Sequence, residues 1–206
     1  MILDVASGLE YLHNNANMLH GDIKPANILI KGDIFKLCDF GTTLVLDENK
    51  QCNFDDYTTT EPFMPPEGTC STFLIRSSDS DYLRSADFKT PVIELKKAVK
   101  YLYNVTEGSL LQADNHLSPK SDVWHIGLTV FEMMTLKTPH FCAVDLELQD
   151  IDEEDDDYSE IWDETFHQMI GRRPAVPHWI GNTIATNPEY QTIFDIFIAC
   201  SGISSY

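Results

Sequence analysis

Residues 20–30 read HGDIKPANILI, and DFG follows at residues 39–41. The stretch sets a carboxylate at Asp22, an ammonium at Lys24 and an amide at Asn27 before a second carboxylate at Asp39. Short apolar runs at 27–31 and 34–38 flank Lys31-Gly32-Asp33, which predicts a small β-hairpin. Upstream, Ile2, Val5, Ala6, Leu9 and Leu12 recur at helical spacing, so residues 2–13 are expected to form an amphipathic helix. Downstream, residues 42–67 are polar and rich in Thr and Pro, which reads as loop. Residues 121–136, SDVWHIGLTVFEMMTL, are apolar nearly all round and are expected to form the buried axis of a domain. Asn187-Pro188 reads as a cap with proline in the first turn, starting a helix that turns Tyr190, Ile193, Phe194, Phe197 and Ile198 inward. The fold class is therefore mainly α with a small β-hairpin.

The chain has 206 residues, enough for one good-sized domain, and 43% are hydrophobic. Thirty-three acidic side chains against 14 basic ones give a net charge of −19. Such a surface repels phosphate backbones, so nucleic acid and anionic membrane are not expected partners. No apolar run is long enough to span a bilayer, and residues 1–13 lack the basic n-region of a signal peptide. Five cysteines without a CxxC pair argue against a disulfide framework or zinc site, which fits a reducing cytoplasmic or nuclear setting. His116, His125, His140, His167 and His178 are scattered without metal-ligand spacing.

Phosphoryl transfer from ATP needs an oriented hydroxyl and divalent cations to neutralise the phosphates. Hard cations such as Mg²⁺ take oxygen ligands, usually one or two carboxylates plus phosphates and water. The patterns H-x-D-x-x-x-x-N and D-F-G supply such groups, through His20, Asp22 and Asn27 and through Asp39, Phe40 and Gly41. Taken singly, an Asp or Asn in a loop is ordinarily a turn former. The order of the elements carries the argument: Pro66-Glu67 follows, then Ser121-Asp122-Val123-Trp124 with Gly127. Together they resemble the C-terminal lobe of a protein kinase, and TTTEPFMPPE and GLTVFEMMTLKTPH make the likeness closest to serine/threonine kinases of the mitogen-activated-protein-kinase-kinase-like type linked to mitosis.

The resemblance implies an ATP- and Mg²⁺-dependent kinase acting on a protein substrate, with an upstream kinase as a further partner. It implies that Asp22 orients the substrate hydroxyl and Lys24 contacts the γ-phosphate. Asn27 and Asp39 would hold Mg²⁺, and His20 and Phe40 would pack to set the geometry, with Gly41 completing the motif. Asp122 would brace the catalytic loop. Thr60, among Thr58–Thr60, is read either as a phosphosite or as a contact to Asp22 and Lys24, against plain loop chemistry. Residues 1–67 and 118–200 would form the kinase-like lobe, with 201–206 a tail. The acidic segment 145–157 reads as a solvated run or a docking site for a basic partner. Residues 68–117 would be an insert, irregular with one helix over VIELKKAVKYLY, and either loosely structured or a docking element.

Three departures from the family pattern stand out. Gly21 occupies the position of the usual arginine that pairs with a phosphorylated loop, so ordering by phosphate through this position is not expected. No arginine follows Arg173, so Glu67 is expected to be an unpaired carboxylate. No Gly-rich loop, strand lysine or partner glutamate precedes the first helix, so a catalytic product is expected to encode an N-lobe upstream of Met1. The alternative is a non-catalytic, kinase-like module that binds partners through its surface.

Overall fold

A computed structural model describes residues 1–69, 116–140, 169 and 172–202. Helix α1 (Ile2–Tyr11) continues into a π-helical turn over Leu12–Ala16 and stops at Asn17, whose φ of 59° ends the helix in the left-handed region. Val5 and Leu9, one turn apart, are buried against Ile23 and the half-buried Leu12, Ile28, Phe35 and Leu37. Ala6, expected on this stripe, is exposed. The N-terminal turn of α1 is tied down by Asp4 Oδ2, which accepts the Phe35 N–H at 3.2 Å.

The hairpin forms as its sequence requires. Strands β2 (Ile28–Lys31) and β3 (Ile34–Leu37) pair antiparallel, with Ile28 opposite Leu37 and Lys31 opposite Ile34. Two further antiparallel pairs were not legible: β1 (Met18–Leu19) with β4 (Leu44–Val45), and β5 (Cys52–Asn53) with β6 (His116–Leu117). Each strand is two residues long, too short to display alternation. Residues 42–67, read as loop, thus also contain strand and two 3₁₀ turns, Phe54–Asp56 and Glu61–Phe63. Leu19, Leu46 and Leu117 close a small core beneath these pairs.

Helix α2 (Pro119–Thr135) begins with a reciprocal cap: Ser118 Oγ accepts from the Lys120 N–H, and Ser121 Oγ accepts the Ser118 N–H at 3.3 Å. Trp124, Leu128, Phe131 and Met134 are buried on it. The helix is buried over most of its surface, as expected of a domain axis, with Val123 and Met133 the apolar side chains on it that are exposed. Helix α4 (Pro188–Cys200) packs along α2, with Phe197 against Phe131 at 5.2 Å between ring centroids. Gly127 permits this approach, because a Cβ there would lie 3.0 Å from Cys200 Cβ. Asn187 caps α4 as expected, its Oδ1 accepting the Glu189 N–H. Phe197 is buried, while Ile193, Phe194 and Ile198 are half-buried against the same core, joined by Ile196.

Helix α3 (His178–Thr186) adds Ile180 to the α2–α4 core. It lacks a side-chain cap and carries Gly181 in its interior, so nothing local advertised it. The arrangement is helix-rich with small antiparallel sheets. No described helix is long and apolar enough to cross a membrane. The helix expected over VIELKKAVKYLY, the acidic segment 145–157, most of the 68–117 insert and the last residues of the tail lie outside the described residues.

Candidate functional site

The segment 20–27 places Ile23 in the α1 core and is anchored from beneath by α2. Asp122 sits in the first turn of that helix and is fully buried. Its Oδ2 accepts the His20 N–H at 2.9 Å, and its Oδ1 accepts the Gly21 N–H at 2.9 Å. His13 Nε2 lies 2.8 Å from Oδ2, and His125 Nδ1 lies 3.7 Å from Oδ1. Burial pushes the Asp122 carboxyl up, but His125, His13 and the Gly21 N–H outweigh it and hold the pKa well below the usual range. The helix N-terminus adds a favourable field for the anion. Seven residues on, and therefore on the same helical face, Thr129 Oγ1 donates to the Ile23 carbonyl at 3.3 Å. Asp122 and Thr129 thus pin the loop on either side of Asp22.

Gly21 is required by this geometry. Its φ is +84°, and a Cβ would come within 2.8 Å of the Thr42 carbonyl oxygen. The arginine of the family pattern has no room on this backbone, which gives the sequence departure a steric cause.

His20 is fully buried. Its Nε2 contacts the Cys38 carbonyl at 3.1 Å, so this nitrogen carries the proton, leaving Nδ1 to accept the Asp22 N–H at 3.4 Å. Burial, opposed by the nearby Asp122 charge, lowers the imidazole pKa, consistent with this neutral tautomer. The Phe40 ring leans on His20 at 5.2 Å and 53°, and is about half exposed. Packing of Phe40 is therefore one-sided.

Four groups converge on the Asp22 carboxylate. Asn27 Nδ2 donates to Oδ2 at 3.1 Å, and Lys24 Nζ lies 3.0 Å from the same oxygen. The Thr60 N–H donates to Oδ1 at 2.8 Å, and the Thr59 hydroxyl donates to it at 3.2 Å. Lys24 Nζ also donates to Thr60 Oγ1. Of the readings open for Thr60, the structure supplies the contact to Asp22 and Lys24. Burial raises the Asp22 pKa, yet the Thr60 hydrogen bonds and the Lys24 ammonium prevail and lower it, so the carboxylate stays anionic at neutral pH.

Asn27 and Asp39 are brought together by the hairpin. The Cys38 N–H donates to the Asn27 carbonyl at 3.0 Å, extending the β2–β3 ladder to its open end. Asp39 follows there with φ 60°, exposed, its Oδ1 accepting the Gly41 N–H at 3.3 Å. A second Asn27 Nδ2 bond, to the Asp22 carbonyl at 2.8 Å, directs both amide protons inward. The Asn27 amide oxygen thereby remains available as an acceptor or ligand. The Asn27 amide oxygen and the exposed Asp39 carboxylate are hard oxygen donors, the type that Mg²⁺ shared with phosphates takes. Among the described residues there is no cluster of three His, Cys, Asp or Glu side chains suited to hold a metal by themselves.

One expectation is overturned. Glu67 is half-buried and has a partner, since Ser121 Oγ donates to its Oε1 at 2.6 Å. The hydroxyl of the α2 capping box takes the place assigned to an arginine. Sequence reading also missed His13, Tyr57 and His125. His125 carried a usable signal, being three residues from Asp122 on one helix. His13 is 109 residues from Asp122 and carried none.

Comparison with known proteins agrees with this scaffold. A family model described as the protein kinase domain matches residues 1–88. Residues 1–88 thus match the protein kinase family, and the likeness to a protein kinase runs along most of the chain. It is 30% identical over 204 residues to the human lymphokine-activated killer T-cell-originated protein kinase, a match covering 97% of this chain and 48% of that protein. It is 39% identical over 67 residues to the serine/threonine kinase NLK of Caenorhabditis elegans, covering 32% of this chain and 10% of that one. It is 28% identical over 145 residues to SNF1-activating kinase 1 of Saccharomyces cerevisiae, covering 70% of this chain and 11% of that one. The chain thus spans about half the length of the human relative and a smaller share of the others.

Proposed function

We propose that this chain carries the catalytic and cation-binding residues of an ATP- and Mg²⁺-dependent serine/threonine protein kinase. On this reading its folded parts, within 1–67 and 118–200, correspond to the C-terminal lobe of that fold, interrupted by the 68–117 insert. The observation that carries the reading is the convergence on Asp22 of Lys24, Asn27 and Thr60, with Asp39 set beside Asn27 by the hairpin.

When bound, Mg·ATP supplies the transferable phosphoryl group and neutralises its charge. Asn27 and Asp39 are the residues suited to hold the cation, through the amide oxygen and the free carboxylate oxygen. Lys24 is suited to the γ-phosphate, the Lys24–Thr60 contact keeping its ammonium in place. Asp22 orients the acceptor hydroxyl in line and takes its proton as the new P–O bond forms and the bond to the leaving ADP breaks. A carboxylate with a lowered pKa is a weak base, and a loose transition state asks for orientation more than for proton abstraction. The acceptor capacity of Asp22 is filled in this state, and the Thr59 hydroxyl at 3.2 Å is the contact an incoming hydroxyl would replace. A protein substrate, an upstream kinase, a role linked to mitosis and a cytoplasmic or nuclear location complete the proposal.

The test is Mg²⁺-dependent ATP binding, measured calorimetrically on the chain and on Asp39→Asn and Asn27→Ala. Binding that needs Mg²⁺ and weakens at least tenfold in both variants supports the reading. Binding indifferent to Mg²⁺, or none, favours the non-catalytic binding module instead.

A further inference from the structure

His125 lies fully buried on α2 at a point where three parts of the chain meet. Its Nε2 is 3.1 Å from the Tyr57 hydroxyl and 3.4 Å from Thr59 Oγ1. Its Nδ1 has no hydrogen-bond partner and faces Asp122 Oδ1 at 3.7 Å. Thr59 in turn donates to Asp22 Oδ1, and the next residue gives Asp22 its shortest contact, the Thr60 N–H at 2.8 Å. One imidazole therefore joins the carboxylate that braces the 20–27 loop to the segment that closes over Asp22. Gly21 leaves no side chain at the position where the family pattern has an arginine to hold that segment.

We propose that His125 is a positioning residue: it ties Tyr57 and Thr59 to α2 and so holds the Thr60 N–H against Asp22 without a phosphate–arginine clamp. A buried imidazole is an efficient tie because its Nε2 contacts to Tyr57 and Thr59 form in a setting of low dielectric, while its ring is fixed within α2. Burial also drives the Tyr57 pKa well above its ordinary value, so the group His125 meets is a neutral hydroxyl, able to share a proton with the ring. The inference deepens the kinase reading given above and rests on it for its catalytic consequence, but its structural part can be measured without turnover.

The experiment is amide hydrogen exchange on the full chain, comparing wild type, His125→Ala, Tyr57→Phe, the double variant and His125→Gln. Loss of one buried hydrogen bond predicts Thr60 N–H protection about tenfold lower in His125→Ala, with Val130 and Phe131 in α2 unchanged. Tyr57→Phe should lower it by a smaller factor, and the double variant should be no worse than His125→Ala, because both act through one contact. His125→Gln, which returns a donor near the Nε2 position, should restore most of the protection. Unchanged Thr60 protection in His125→Ala overturns the proposal. An equal loss at Thr60, Val130 and Phe131 would report a general loosening of α2, and Tyr57→Phe, which spares the α2 core, then decides: lower protection at Thr60 alone supports the tie, and unchanged protection overturns it. In a phosphoryl-transfer assay, His125→Ala should lower kcat about tenfold with KM for ATP unchanged. Absence of transfer in wild type would count against the kinase reading, while the exchange result would still decide the tie.

Discussion

Replacing Asp122 with asparagine tests how the 20–27 loop is held. The carboxylate accepts the backbone N–H groups of His20 and Gly21, one on each oxygen, and each oxygen also faces a histidine nitrogen. An asparagine amide has one acceptor oxygen. Either orientation turns its NH₂ toward a backbone N–H, so one donor is left buried without a partner and a second bond loses its charge assistance. Hydrogen bonds to a charged group contribute about 1.5–3 kcal/mol each, and leaving a buried donor unpaired adds a desolvation cost of about 1–3 kcal/mol. We expect Asp122→Asn to lose about 3–5 kcal/mol, a large share of the stability of an ordinary domain. Urea unfolding followed by the fluorescence of the adjacent buried Trp124 would report it. The folded Asp122 pKa is depressed below its ordinary 3.8, so its contribution is present above that value and lost as pH falls below it. Wild type should therefore shed this stability on acidification below about pH 4, and Asp122→Asn should not. A loss under about 1 kcal/mol would refute the picture of the loop hung on this carboxylate.

Gly21→Ala should destabilise by at least about 1–2 kcal/mol, from its positive φ alone, with a further cost from the close Thr42 oxygen, as read by thermal unfolding. Asn187→Ala should cost about 1 kcal/mol by uncapping α4, with no change in ATP binding. His140 is buried and its pKa is pushed down to about 3 from 6.5 by desolvation. It favours the neutral form, so stability is complete above about pH 6.5 and declines as pH falls toward 3; His140→Leu should flatten that limb of a stability–pH curve.

The sequence disclosed the elements whose signals are local. The 3.6-residue period of α1, the paired apolar runs of β2 and β3, and the Asn-Pro start of α4 are each written within one stretch of chain. The motif residues were legible for the same reason, since HGDIKPAN and DFG keep Asp22, Lys24, Asn27 and Asp39 within one short span. What joins them was not. The pairing of β1 with β4 depends on two residues a side, and α3 has neither a cap nor an uninterrupted apolar stripe. Glu67 looked unpaired because its expected partner was a distant arginine, whereas a serine in the first turn of α2 meets it. Asp122 gathers His13, His20 and Gly21 from more than a hundred positions away, and no spacing rule reaches that far. Tertiary hydrogen bonding of loop backbone is invisible to periodicity.

The most direct test of the central claim is transfer of labelled γ-phosphate from Mg·ATP to protein serine or threonine, comparing the wild-type protein with Asp22→Asn. Mg²⁺-dependent transfer by the wild type and a fall of at least a hundredfold in the variant are expected, in the range of removing one group that orients or receives the proton. Equal transfer by both, or none by either, would contradict the assignment of Asp22 as the residue on which the reaction turns.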